Sequence, residues 1–164
     1  MKLLQRVMVM NVAVVVTASV MTPTFAGEQV EAQQIVPAGT QRPTAGSPDF
    51  FTGRVQVVPV WPADKHINAS GVVVTFEPSA RSDWHTHPAG QRLVVLSGVG
   101  LTQEWGKPVR EIRAGDVVWC PPGVKHWHGA SADTAMSHLA VTGSVEGRNV
   151  IWMEKVTDAQ YHAR

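Results

Sequence analysis

The chain has 164 residues, 44% of them hydrophobic, and carries 14 basic and 13 acidic side chains, a formal net charge of +1. This length suits one domain with one core and excludes two full-sized domains. No basic stripe runs along the sequence, which excludes the electrostatic surface that nucleic-acid binding needs, so no nucleic acid is expected as a partner.

Residues 1–26 have the pattern of a secretory signal peptide. Lys2 and Arg6 precede an apolar run over residues 7–21, and small residues up to Ala26 suit cleavage after that position. The run is short for a bilayer span and contains Asn11. We therefore expect a periplasmic or secreted protein with no membrane segment after cleavage. Removing Lys2 and Arg6 leaves 12 basic against 13 acidic residues, a mature net charge of about −1.

Residues 27–48 are rich in Gln, Pro, Gly, Ala and Thr and follow neither the strand nor the helix period. Such a composition is typical of a flexible arm rather than of a packed element. We expect the folded domain to occupy residues 49–164.

From residue 49 onward, short runs rich in Val, Ile, Trp and Thr alternate with turn residues. The runs predict strands near residues 53–59, 70–77, 82–87, 91–97, 100–104, 109–112, 116–120, 125–128, 137–141 and 150–156. At most a helical turn, capped by Thr157 or Asp158, is expected at the C-terminal end. So many short strands predict an all-β, single-domain barrel of the jelly-roll type.

Three potential metal ligands follow one another on a short stretch. His85 and His87 are two residues apart, so on an extended strand both imidazoles point to the same side. Gln91 follows a Pro-Ala-Gly turn and can return to that side at the start of the next strand. His126, from a second stretch rich in Gly and Pro, is the best candidate for a fourth ligand. Three neutral imidazoles and a carboxamide oxygen would hold a divalent transition metal with positions left open.

Gln91 decides the expected chemistry of such a site, because a carboxamide does not neutralise the charge of the metal. The ion should therefore be a stronger Lewis acid and a better host for an anionic ligand, and higher oxidation states should be disfavoured. Mn or Fe suits a mixed nitrogen and oxygen shell, and Zn, Ni or Co could substitute.

Other interpretations of the histidines stay open. A metal-free barrel could use them as core or rim residues, although two His-x-His pairs argue against that. His128 shares a strand side with His126 and is a cavity-wall group, a further ligand or an outward residue, of which we favour the first. His138 alternates with Ala140 and Thr142 and should face inward, as a general base or as a hydrogen-bonded core residue.

Val72 and Val74 are placed on the inward side of their strand, facing the same cavity. Cys120, the single cysteine, lies in an apolar strand and is expected to be a buried packing residue. His66 and His162 are expected on the surface.

Two motifs resemble the paired motifs of the cupin superfamily: His85-x-His87-x3-Gln91-x6-Gly98 and Gly115-x5-Pro121-x-Gly123-x2-His126. Most metal-binding cupins carry Glu where this chain has Gln91. The segments 74–78, 84–88, 115–119, 125–130, 134–140 and 152–158 further resemble the small bacterial cupins that include the manganese-dependent (R)-selective hydroxynitrile lyases. The similarity covers roughly residues 49–162.

The resemblance implies a cupin jelly-roll barrel, or double-stranded β-helix, that pairs into a homo-oligomer, a dimer or a tetramer. It implies manganese held by His85, His87, Gln91 and His126, with His138 serving proton transfer. Thr142 stands where the family has Gln, and Val72 where the family has Ala. Both changes touch the substrate cavity, in which His128 and Thr142 would orient the substrate.

The implied activity is the reversible cleavage of a cyanohydrin such as mandelonitrile into an aldehyde and hydrogen cyanide. Two alternatives from other classes are a metal-dependent dioxygenase or oxidase acting on small phenols or alkenes, and a non-catalytic periplasmic cupin that binds a small ligand.

Overall fold

The computed structural model describes residues 32–163, so the predicted signal peptide and the start of the predicted arm lie outside the described residues. Among those residues, no helix has the length and apolar character needed to cross a membrane. The strands are β1 Thr44–Ala45, β2 Phe51–Thr52, β3 Val55–Trp61, β4 Ala69–Phe76, β5 Arg81–Ser82, β6 His85–Thr86, β7 Gln91–Glu104, β8 Arg110–Arg113, β9 Val117–Cys120, β10 His126–Ala130, β11 Met136–Gly143 and β12 Ile151–Trp152. One short helix, α1, covers Asp158–Tyr161.

The strands form two antiparallel sheets that share the long strand β7. The first half of β7 pairs with β9 and β11, and the sheet continues through β4 and β3 to β1. The second half of β7 pairs with β8 and β10, and β10 pairs with β5 and β6, which lead to β2 and β12. The predicted all-β architecture is therefore confirmed.

Strand β11 shows how the sequence sets the inner and outer sides of the barrel. Met136, His138, Ala140 and Thr142 are buried, while the residues between them are only partly buried. This is the period of two expected for a strand with one side facing a core. His138 therefore faces inward together with Ala140 and Thr142, as the alternation predicts.

Apolar packing fills part of the barrel interior. Phe76, Val95, Ile112 and Met136 belong to one buried cluster there. A second cluster, which contains Trp127 and Tyr161, packs the C-terminal segment against the outside of the second sheet. Cys120 is also buried, as expected, and burial raises the pKa of its thiol to about 12, so the thiolate is not formed at neutral pH.

Several strand limits differ from the predictions. The predicted break at 97–100 does not occur, because Gly98 adopts φ 78° inside β7. A Cβ at that position would collide with the carbonyl oxygen of Ala135, so the strand passes only with glycine. The predicted strand 82–87 is split because the amides of Asp83 and Trp84 donate to Phe50 and Glu154 instead of to β10.

The ends of the folded domain also differ from the predicted limits. Of the predicted strand 150–156, only Ile151–Trp152 is a strand. Thr44–Ala45, inside the segment predicted as an arm, pairs with β3. The terminal helical turn is confirmed: the Thr157 hydroxyl accepts from the Gln160 amide, and the Gln160 side chain accepts from the Thr157 amide.

Candidate metal centre

Three imidazoles of the predicted ligand set converge inside the barrel beside the first apolar cluster, because Val74 of that cluster lines the same cavity as His85 and His87. His85 lies on β6 directly opposite His126 on β10, and His87 follows β6 immediately. The ring centroids of His85 and His126 are 4.3 Å apart, and His87 lies 5.0 Å from His85 and 5.4 Å from His126. All three residues are at most 3% exposed.

The backbone holds these three rings in one tautomer. Nδ1 of His85 lies 2.9 Å from the carbonyl oxygen of Asp83, and Nδ1 of His126 lies 2.9 Å from that of Val124. Nδ1 of His87 lies 2.5 Å from the carbonyl oxygen of Asn149. Because a carbonyl only accepts, Nδ1 must carry the proton in each neutral ring, which leaves Nε2 bare. A bare, oriented Nε2 is the form in which histidine binds a metal.

Gln91 lines the same cavity as His85 and His87 and is oriented by a different partner. Its side-chain nitrogen donates to the hydroxyl of Thr142 over 3.0 Å, which leaves the carboxamide oxygen Oε1 free. Among the described residues, Gln91 Oε1 and the Nε2 atoms of His87 and His126 are buried without a hydrogen-bond partner. Buried acceptors without partners are costly, and bare imidazole nitrogens and a carboxamide oxygen are groups that bind a divalent cation, so the chemistry of these residues fits such an ion.

His128 lies nearer to this group than the sequence predicts for a cavity-wall residue. One ligand atom each from His85, His126 and His128 lies within 4.8 Å of the others, whereas His87 is outside this tightest group. His128 differs in its partner, because its Nδ1 lies 3.1 Å from Nε2 of His138 rather than from a carbonyl. Its Nε2 is also buried without a partner among the described residues.

A cavity of about 230 Å³ opens beside the imidazoles. Of the residues predicted for the site, it is lined by Val72, Val74, His85, His87, Gln91, His128, His138 and Thr142. His126 does not border it. His66 and His162, expected on the surface, are exposed.

Sequence reasoning missed several wall residues because they come from distant segments of the chain. Phe51 lies on β2, Asn149 precedes β12, and Trp152 ends β12 with its ring 4.9 Å from that of His85. Alternation along β12 could not reveal Trp152, because the strand has only two residues.

Burial lowers the pKa of all five imidazoles. The pKa values of His85 and His128 fall well below the ordinary value, since both rings are fully enclosed and lie beside other histidines. Burial takes the pKa of His126 and of His138 to about 4. For His87 the lowering of the pKa by burial is opposed by the Asn149 carbonyl and the neighbouring Gln91 carboxamide. At neutral pH the rings are therefore uncharged, as metal ligands and bases must be.

We expect the metal-free protein to lose stability in mild acid. An imidazole whose pKa is lowered by folding makes its full contribution to the stability of the folded protein at a pH above 6.5, the pKa of the ring in the unfolded chain. That contribution is lost as the pH falls toward about 4, and for His138 it is on the order of 3 kcal/mol. The urea concentration at which half of the metal-free protein is unfolded should decrease as the pH is lowered from 7.5 to 4.5. His138→Gln should show a smaller fall, and exposed His66→Asn the same fall as the parent; equal falls in all three would contradict this origin.

Thr142 should control metal affinity through Gln91. Thr142→Val removes the hydroxyl that accepts from the carboxamide nitrogen and frees Gln91 to rotate. We expect metal affinity to fall by about 10- to 100-fold, the effect typical of losing an outer hydrogen bond to a ligand. Thr142→Ser keeps the hydroxyl and should bind nearly as well as the parent, by titration against a competing chelator. Equal affinities of the Val and Ser variants would show that Gln91 is held by other contacts.

Comparisons with known proteins agree with this geometry. Residues 72–142 match the Cupin domain family. The chain is 50% identical over 128 residues to the (R)-mandelonitrile lyase of Granulicella tundricola, covering 78% of this chain and 98% of that protein.

Two solved structures from Thermotoga maritima share the architecture. A cupin-like protein is 41% identical, with a TM-score of 0.68, over 79% of this chain and 95% of its own. A predicted oxalate decarboxylase is 22% identical, with a TM-score of 0.59, over 73% of this chain and 100% of its own, and shows likeness of fold alone. On the sequence identity, the paired motifs and the shared barrel, this chain belongs to the cupin family.

Proposed function

We propose that the protein is a metal-dependent lyase that cleaves and forms cyanohydrins, with mandelonitrile as the model substrate. The observation that carries the proposal is the set of three imidazoles held with bare Nε2 atoms, and the free Gln91 oxygen, beside an apolar cavity that also contains a histidine pair. The 50% identity to a protein named (R)-mandelonitrile lyase supports the choice of reaction.

His85, His87, His126 and Gln91 would hold the divalent cation. All four ligands are neutral, so the bound ion would supply Lewis acidity that favours negative charge developing in the transition state. Manganese is the proposed metal, since it accepts a shell of nitrogen and oxygen ligands, and Fe, Zn, Ni or Co could replace it.

His138 would move the proton. It lines the cavity and is fully buried. Its Nε2 forms a hydrogen bond with Nδ1 of His128. Each neutral ring keeps one bare nitrogen, so the pair can accept one proton and pass it along their shared hydrogen bond. In cleavage, His138 takes the hydroxyl proton as the carbon–carbon bond breaks. The bond electrons leave with cyanide, which then receives the proton as hydrogen cyanide.

The apolar wall would bind the organic part of the substrate. Val72, Val74 and Ala140 line one side, and the rings of Phe51 and Trp152 line another. Such a surface favours an aromatic or branched aldehyde over a charged one, because burying an unpaired charge there is costly. His128 and Thr142 supply polar groups at the metal end of the cavity and would orient the substrate hydroxyl.

The experiment that tests the proposal measures hydrogen cyanide release from mandelonitrile by manganese-loaded protein. A parallel assay measures oxygen uptake with a panel of small phenols. Cyanide release without oxygen uptake supports the lyase. Oxygen uptake alone would replace it by the oxygenase, and tight ligand binding without either reaction would indicate a binding protein.

The protein is proposed to work as a homo-oligomer. Five directly paired residues form an apolar row across the outer side of the first sheet: Val58, Val73, Leu139, Val94 and Val117. Val117 is 60% exposed, and two identical twisted sheets can pack through such a row. Leu139→Asp should therefore produce monomers in analytical ultracentrifugation. Gln56→Asp, on the same sheet side but in a polar row, should leave the assembly intact; intact oligomers of Leu139→Asp would exclude this face.

Export to the periplasm or the medium is proposed from the basic start, the apolar run and the small residues before Ala26. N-terminal sequencing of protein taken from the periplasmic fraction should begin at Gly27. An uncleaved chain in the cytoplasm would contradict export.

A further inference from the structure

A row of polar side chains that crosses three strands lines the apolar cavity. Ser70 on β4 pairs with Thr142 on β11, and Thr142 pairs with Gln91 on β7. All three residues border the cavity. Val72 and Ala140, which pair in the neighbouring row of the same strands, are apolar and border it too. The polar row of Ser70, Thr142 and Gln91 therefore lies directly beside the apolar wall that is proposed to hold the organic part of the substrate.

Both hydroxyls of the polar row accept a hydrogen bond from an amide. The side-chain nitrogen of Gln91 donates to the Thr142 hydroxyl over 3.0 Å, and that of Asn149 donates to the Ser70 hydroxyl over 3.4 Å. An amide nitrogen only donates, so neither bond uses the proton of the hydroxyl. Within residues 32–163, neither hydroxyl donates to an acceptor. Two O–H donors are thus left on the cavity wall.

Ser70 lies beside Thr142 but farther from the proposed ligands. Directly paired residues have Cβ atoms about 5 Å apart, so the two hydroxyls are neighbours. Ser70 is two strand spacings, about 10 Å, from Gln91. It is half-buried, whereas Thr142 is buried. A group that extends from Thr142 away from Gln91 along the row therefore meets the Ser70 hydroxyl.

We infer that Ser70 is a substrate-binding residue whose hydroxyl donates a hydrogen bond to the nitrile nitrogen of the cyanohydrin. This rests on the proposed function, in which Thr142 and His128 orient the substrate hydroxyl. The nitrile stands on the same carbon as that hydroxyl, and it is a straight group whose terminal nitrogen only accepts. When the carbon–carbon bond breaks, the electron pair leaves with cyanide, and the Ser70 hydroxyl stabilises the negative charge that develops there.

A purely structural role for Ser70 would act through Asn149. The backbone carbonyl of Asn149 holds Nδ1 of His87, so a loosened Asn149 would disturb a proposed metal ligand. In that role, removing the Ser70 hydroxyl changes metal affinity and leaves a bound nitrile unaffected. In the inferred role, it changes the hydrogen bond at the nitrile nitrogen.

Phenylacetonitrile is a suitable probe, because it keeps the ring and the nitrile but has no hydroxyl and does not react. The infrared C≡N stretching band of a nitrile moves to higher frequency when its nitrogen accepts a hydrogen bond from a hydroxyl. Phenylacetonitrile bound to manganese-loaded protein should show this shift. Ser70→Ala should reverse the shift, and Ser70→Thr, which keeps a hydroxyl, should restore it. In turnover, Ser70→Ala should lower kcat/KM for mandelonitrile by about 10- to 100-fold, the range for a hydrogen bond to a group that becomes charged.

Two further variants complete the comparison. Ser137→Ala deletes a hydroxyl on β11 that accepts from Thr75 on the outer side of the sheet, and it should keep the band of the parent. Asn149→Ala keeps both the Ser70 hydroxyl and the carbonyl that holds His87, so it should also keep the shifted band. Loss of the shift in Asn149→Ala would show that Ser70 acts only through Asn149 and would overturn the inference.

The inference is also overturned if the parent shows no shifted nitrile band, or if Ser70→Ala shows the same band as the parent. These outcomes do not touch the proposed reaction, since cyanide release from mandelonitrile is measured separately. Protein that releases no cyanide, but whose nitrile band still depends on the Ser70 hydroxyl, would refute the proposed reaction and leave the nitrile site standing.

Discussion

Replacing His87 with alanine is expected to remove the metal and the activity together. His87 Nε2 is buried without a hydrogen-bond partner among the described residues, and its Nδ1 is held by the Asn149 carbonyl, so the ring keeps a bare Nε2 beside the rings of His85 and His126. Losing one of four ligands should weaken manganese binding by more than the roughly 100-fold typical of an outer-shell change. Elemental analysis after dialysis, together with hydrogen cyanide release, measures both effects.

His128→Ala is the matched control for this prediction. Its ring is as deeply buried as that of His87 and lies in the tightest group of ligand atoms. We nevertheless expect the His128→Ala protein to retain the metal, because Nδ1 of His128 is hydrogen-bonded to His138 and is not held by a backbone carbonyl as in the proposed ligands. Metal loss in His128→Ala with retention in His87→Ala would show that His85, His126 and His128 form the ligand set.

Replacing His138 with alanine should abolish turnover while leaving the metal content intact. His138 lines the cavity and contacts His128, and it is not one of the four proposed ligands. Loss of a general base typically lowers the rate by about 10² to 10⁴-fold. The turnover number for mandelonitrile cleavage should fall by that factor, with manganese still bound at one equivalent.

A structural role for His138 predicts a different outcome. If the ring only supported the centre, His138→Ala would lose metal and activity in parallel, and His138→Gln would restore both by refilling the space. In the proposed role, His138→Gln restores the packing but stays inactive, because a carboxamide does not accept a proton near neutral pH. Circular dichroism of both variants checks that the barrel still folds.

Local patterns in the sequence were sufficient for much of the site. Because His85 and His87 are two residues apart, their rings lie on the same side of the chain and contact each other. The alternation of buried and partly buried residues along β11 turns His138 inward. The carbonyls that orient His85 and His126 come from residues only two positions away. Strand alternation acts between residues two apart, which is why the placement of the histidines was predictable, whereas the carbonyl partners were found only in the structure.

Long-range relations were not predictable in the same way. Nδ1 of His87 donates to the carbonyl oxygen of Asn149, 62 residues later, and no periodicity links the two residues. The distance that brings His128 into the ligand group depends on how β10 and β6 curl together. The predicted break near Gly98 was wrong because glycine signals a turn in sequence, whereas here it permits a close backbone crossing inside a strand.

The bond between His87 and Asn149 also makes the centre depend on a segment that supplies none of its proposed ligands. Asn149 lies 62 residues after His87, and strand β12, which follows it, pairs with β6, which carries His85. A cut in the backbone between β11 and Asn149 would leave all four proposed ligands in the chain. It would nevertheless free His87 to change tautomer, because the carbonyl that keeps the proton on Nδ1 would no longer be held in place.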